Sequence, residues 1–79
     1  MKSQAQKAAD FAALHERGCF VIPNPWDRGT ARLLAGLGFR ALTTTSAGYA
    51  RSLGVSDYNA GREHVLAHVR DLASATDLP

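Results

Sequence analysis

Residues Ala41–Asp57 read ALTTTSAGYARSLGVSD, and how this stretch is parsed decides the architecture. It opens on the β-branched run Thr43, Thr44, Thr45, which favours extended backbone. It breaks at Ser46, Ala47 and Gly48 and continues as a polar, glycine-punctuated loop to the acidic Asp57. A strand whose C-terminal end opens into small residues leaves backbone N–H groups unpaired and pointing outward, a cradle suited to an anion.

Working outward from that stretch, Ser3 is placed to cap a first helix running to about Arg17, with Ala8, Phe11 and Ala12 on its apolar stripe. Gly18 suits the left-handed position that ends such a helix. Cys19–Ile22 is a short apolar run, read as a strand buried on both faces and stopped by Pro23 and Pro25. Asp27 sits at an N-cap, and the helix that follows sets Ala31, Leu34 and Ala35 on one face before Gly36 or Gly38 ends it. Phe39 to Thr45 is the second strand. Asn59 can cap a third helix through about Ser74, with Val65, Leu66, Val69, Leu72 and Ala73 facing inward.

Helix, strand, helix, strand, helix is the order expected. Strands separated by one compact helix form a right-handed βαβ crossover with parallel strands. Gly18-Cys-Phe-Val-Ile and Gly38-Phe-Arg-Ala-Leu each start a strand after a helix-ending glycine, a faint repeat of about 20 residues that points to an α/β barrel or a doubly wound sheet. The expected class is therefore α/β, with residues 1–79 as one unit and no internal boundary. Pro79 arrives where the pattern calls for another strand, so an N-terminal fragment of a longer domain is expected, unable to hold a core alone.

Composition narrows the partners. The chain is 46% hydrophobic and 20% charged, too apolar for disorder. Its net charge of +2 is interspersed, without a basic face, so nucleic acid is not implied. No apolar run approaches the ~20 residues that span a bilayer. The single Cys19 excludes an internal disulfide and fits a reducing cytoplasm; its expected role is to fill core space at a strand start. A soluble, cytoplasmic protein is expected.

Phe20-Val-Ile-Pro-Asn-Pro-Trp-Asp27, then Gly29-Thr-Ala-Arg-Leu-Leu-Ala-Gly-Leu-Gly38, then Thr43-Thr-Thr-Ser-Ala-Gly-Tyr-Ala and Ser52-Leu-Gly-Val-Ser-Asp57 resemble the phosphoenolpyruvate mutase/isocitrate lyase superfamily, in the same motif order over roughly Phe11 to Pro79. The resemblance implies the first two βα units of an (α/β)8 barrel of about 250 residues or more, preceded by an N-terminal helix. It implies a Mg2+-dependent lyase or mutase that makes or breaks a C–C or P–C bond in a small keto or hydroxy acid through an enolate-like intermediate. It further implies a homo-oligomeric parent whose main Mg2+ ligands lie beyond Pro79.

In that superfamily a serine and the adjacent amides after the second strand bind the substrate carboxylate or enolate oxygen. The matching positions here are Ser46, Ala47 and Gly48, with Ala47 where the family often has glycine. Asp57 matches an acidic residue near the metal, acting through water; the residues alone also allow an Asx-turn before Asn59 or a counter-charge to the following helix. Arg51 either contacts an anionic substrate or is a solvated loop charge. Trp26 is expected to pack at the same rim, and Asp27 to cap its helix. His64 and His68 stand four apart, on one helical face, and are placed on the solvated outside. The alternative to an enzyme fragment is a small non-catalytic α/β unit that folds by self-association or on a partner. A DNA-binding helical module is disfavoured by the weak charge.

Overall fold

The computed structural model describes residues 1–79 and contains four helices and no β-strand. We label them α1 (Gln4–Leu14), α2 (Arg28–Gly36), α3 (Ser46–Ser52) and α4 (Arg62–Ala73). The expected βα units of an (α/β)8 barrel are thus corrected: the chain is all helical in its regular structure.

The two expected strands are extended connections that run close together without forming a ladder. Thr43 N–H donates to Pro23 O at 3.0 Å, and the Asn24 side-chain amide donates to Thr44 O at 3.0 Å. Leu42 N–H turns to the opposite side, to Pro79 O at 2.9 Å. A strand is defined by repeated pairing with a neighbour, and β-propensity is realised only where such a neighbour exists. Pro23 and Pro25, which lack an N–H, reduce the pairing further. Cys19, placed in the core by its apolar neighbours, is exposed.

The helix termini follow local chemistry closely. Ser3 forms a capping box with Gln6, and Asp27 forms one with Thr30. Each satisfies N–H groups that the first turn leaves unpaired. Gly18 takes the expected left-handed conformation, φ +61°, after α1 has ended at His15. At α4 the expectation fails: Gly61, φ +89°, is the N-cap, and the Asn59 amide bonds Ser56 Oγ at 2.6 Å instead.

The backbones of α2 and α4 pack on each other. Ala31 of α2 meets Leu72 and Ala75 at the end of α4, with Leu42 against them. Val65, Leu66 and Val69, expected inside, are exposed. α1 is attached at both ends. Lys7, almost fully buried, sends its ammonium to Ala73 O and Thr76 O at the end of α4. Phe11, His15 and Phe20 form an edge-to-face cluster with ring centroids 4.7 to 6.1 Å apart.

Candidate functional site

Ser46-Ala47-Gly48 is the first turn of α3, not a loop. Thr45 is the reason. Its backbone is extended, φ −133° and ψ 114°, and its hydroxyl accepts the Gly48 N–H at 3.0 Å, an N-cap that starts the helix. Gly48 has to be small for this: a Cβ there would sit 2.7 Å from Thr45 Cγ2. The cap thus engages the Gly48 amide, while Ser46 and Ala47 carry first-turn N–H groups of the kind that helix geometry leaves without an internal partner. Ala50 is fully buried and anchors the helix from below.

Ser46 is exposed and opens on a cavity of about 310 Å3 lined also by Tyr58, Ala60, Gly61, Arg62, Val65 and Leu66. The cation at this cavity is Arg62, which pairs at 3.1 Å with Glu63, both largely solvated. Arg51 lies at the C-terminal end of α3 and does not line the cavity. Asp57 is half-buried, and its carboxylate accepts the N–H of Tyr58, which is left-handed at φ +67°. The structure therefore joins Ser46 to Arg62, a residue that the chain's linear pattern did not single out. Only its position in the first turn of α4 hinted at it.

Magnesium takes about six oxygen ligands in near-octahedral order. No group of three or more His, Cys, Asp or Glu residues that could hold a metal ion exists in this chain, and Asp57 stands as a single carboxylate. These residues do not make up a magnesium site.

His68 departs furthest from expectation. It is buried, not on the outer face, and stacks flat on Tyr49 of α3, centroids 3.8 Å apart and planes within 12°. Its Nε2 is buried without a hydrogen-bond partner. Burial holds its pKa below the ordinary histidine value, against the opposing pull of Asp71 and Asp27. His64, four residues earlier, is exposed. Asp27 keeps its capping role, its carboxyl held below the usual range by the Thr30 backbone and then the Thr30 hydroxyl. Trp26, expected to pack at the rim, is half exposed. No helix is long and apolar enough to cross a membrane.

The family model for phosphoenolpyruvate phosphomutase matches residues 11–79. Among solved structures, a Burkholderia cenocepacia protein described as a lyase/mutase is 56% identical, with a TM-score of 0.89 over 96% of this chain and 28% of its own. A second B. cenocepacia protein, described as a phosphonomutase, is 34% identical, with a TM-score of 0.83 over 94% of this chain and 31% of its own. None of the curated proteins matches. The chain spans under a third of the length of either solved neighbour. With nearly all of its length matched by the family model and by two solved structures that share its arrangement, the chain belongs to the phosphoenolpyruvate phosphomutase family.

Proposed function

We propose that this chain supplies the carboxylate- or enolate-binding corner of a lyase or mutase acting on a small keto or hydroxy acid. The observation that carries the reading is the opening of Ser46, at the start of α3, onto a cavity that also holds Arg62. Breaking a C–C or P–C bond beside a carboxylate leaves charge on an enolate oxygen. Donors aimed at that oxygen lower the barrier by several kcal/mol.

In this reading the Ser46 hydroxyl and the Ala47 amide donate to the anionic oxygen. Gly48 contributes by being small, because its own amide is engaged by Thr45. Arg62, which lines the same cavity, offers a bidentate contact to a carboxylate. Arg51 is kept as an outer contact that steers the anion. Family membership favours magnesium, yet the residues present make no site for it, and Asp57 would reach such an ion only through water. No step here passes through the metal. A homo-oligomeric, cytoplasmic parent protein, longer than these 79 residues, belongs to the same reading.

The test is steady-state kinetics on the complete gene product with a panel of small keto and hydroxy acids in magnesium buffer. Ser46→Ala should lower turnover by about 10- to 1000-fold, the range for loss of one oxyanion donor. Ala47→Val should cost as much by blocking close approach. Near-wild-type rates for both would reduce this turn to a helix start and sink the assignment.

A further inference from the structure

α3 is seven residues long, too short for helicity of its own, so its direction is set by what holds it. Three contacts do so. Thr45 caps its start, Ala50 is buried beneath it, and Tyr49 attaches it to the middle of α4. Tyr49 makes that attachment twice: its ring lies flat on His68, and its hydroxyl donates to His64 O at 3.2 Å. The two α4 residues are one helical turn apart, so the aromatic plane and the hydroxyl together fix both the height and the rotation of α3 on α4. Tyr49 is also one turn after Ser46, which couples that rotation to the direction of the Ser46 hydroxyl.

We propose that His68 is a positioning residue for the Ser46 end of α3, acting through the stacked ring of Tyr49. The proposal rests on the reading of Ser46 as an anion-binding residue. His68 is 9% exposed, and its Nε2 faces neither donor nor acceptor. Such a nitrogen tolerates a neutral ring and resists a proton that would bring a charge into an unsolvated place.

The charged groups around His68 set the balance. Asp27, the cap of α2, and Asp71, on the next turn of α4, both favour the imidazolium. Arg28 of α2 draws off part of that pull by binding Asp71 Oδ1 at 3.0 Å. The face of Tyr49 would also attract a cation. Burial outweighs the two carboxylates and holds the ring below its ordinary value. Protonation therefore favours a ring that turns toward water, and Tyr49 then loses its platform while α3 keeps its cap, Ala50 and the single Tyr49 hydroxyl bond to His64 O.

Hydrogen exchange on the complete gene product tests this between about pH 5 and pH 8. Residues 46–52 are compared with α1 in the same digest, which cancels the intrinsic pH dependence of exchange. In the wild type, exchange in α3 should accelerate relative to α1 by about threefold to tenfold as the pH falls below the ordinary histidine range, the size of a lost aromatic pair. For whichever acid the protein turns over, kcat/KM should fall by the same factor over the same pH range.

His68→Phe keeps a stacking ring that cannot be protonated, and should flatten both profiles. His68→Ala should give fast exchange and a lowered kcat/KM at every pH. Tyr49→Phe, which keeps the ring and loses the hydroxyl, should shift α3 exchange without altering the pH profile. A His68→Phe protein with the wild-type profile, or a His68→Ala protein with unchanged α3 exchange, would overturn the proposal. Exchange that responds while kcat/KM does not would instead refute the Ser46 reading and leave the attachment of α3 standing.

Discussion

Replacing Lys7 with methionine should be among the most damaging single changes in this chain, although Lys7 is a charged residue on a surface helix. Lys7 is 6% exposed, and its ammonium donates to the carbonyl of Ala73, the last residue of α4, and to Thr76 O just beyond the helix, the latter at 2.8 Å. A helix end leaves its last four carbonyls without partners and carries partial negative charge. Cations from α1 and α2 meet that end together. Arg28 bonds Asp71 O at 3.0 Å and Ser74 Oγ at 3.2 Å, and Arg32 bonds Ala75 O at 3.3 Å. Lys7 alone ties it to α1. Lys7→Met keeps the length of the side chain and removes only the charge and its donors. Each hydrogen bond from a charged donor contributes about 1.5–3 kcal/mol, and relief of the buried charge returns part of the sum, for a net loss of about 2–3 kcal/mol. In a domain of this size that lowers Tm by roughly 10–20 °C. Far-UV circular dichroism melts at matched protein concentration measure it. Hydrogen exchange over residues 73–78 reads the same loss locally, without requiring a cooperative transition. A Lys7→Met chain melting within about 2 °C of wild type, with unchanged exchange there, would show that water serves these carbonyls as well as the ammonium does.

Three further outcomes are expected. The folded-state pKa of His68 lies below the ordinary 6.5, so the unfolded chain takes up this proton first; the associated stability is complete above about 6.5 and is lost as the pH falls toward the folded-state value. Urea midpoints measured across that window should decline toward acid in wild type and level off in His68→Phe, and equal slopes would refute it. Asp27 is lowered by its capping bonds to Thr30, so its contribution is present above the unfolded carboxyl value of 3.8 and disappears as the pH falls through the folded one; Asp27→Ala should lower helicity at neutral pH and make no difference in strong acid, as followed by circular dichroism. The isolated chain should self-associate. Its accessible surface of 5387 Å2 exceeds the ~4,600 Å2 of a compact monomer of its mass, and Val21, Leu33 and Leu37 are each more than 60% exposed. Sedimentation velocity should find a mass that grows with concentration, and a sharply cooperative monomeric unfolding transition would contradict it.

Features set within one or two turns of chain could be read from residue order alone. Ser3 and Asp27 cap their helices, Gly18 is left-handed, and α4 ends at Ser74, because each depends on side chains and dihedrals within a few residues. The segments Phe20–Asp27, Gly29–Gly38, Thr43–Ala50 and Ser52–Asp57, taken in order, likewise pointed to the family that the whole-chain matches establish. Apart from the start of α4, where Gly61 and not Asn59 is the cap, the errors lie where a neighbour decides. Cys19–Ile22 and Ala41–Thr45 have strand-like composition, but a strand exists only through a partner's repeated hydrogen bonds, and here Thr43 and Pro23 share one. Thr45 ends a β-branched run and also caps a helix, and its extended backbone serves both, so α3 was hidden behind its own cap. Spacing put His64 and His68 on one face without saying what that face would meet. Tyr49, nineteen positions before His68, supplies the answer by stacking on one and bonding the carbonyl of the other. The same holds for Lys7, whose charge suggests solvent until the end of α4 and the residues after it bring Ala73 O and Thr76 O beside its ammonium. Local covalent geometry and capping act over a few residues and are written in order along the chain; burial and pairing act through space, and only the packed helices decide them.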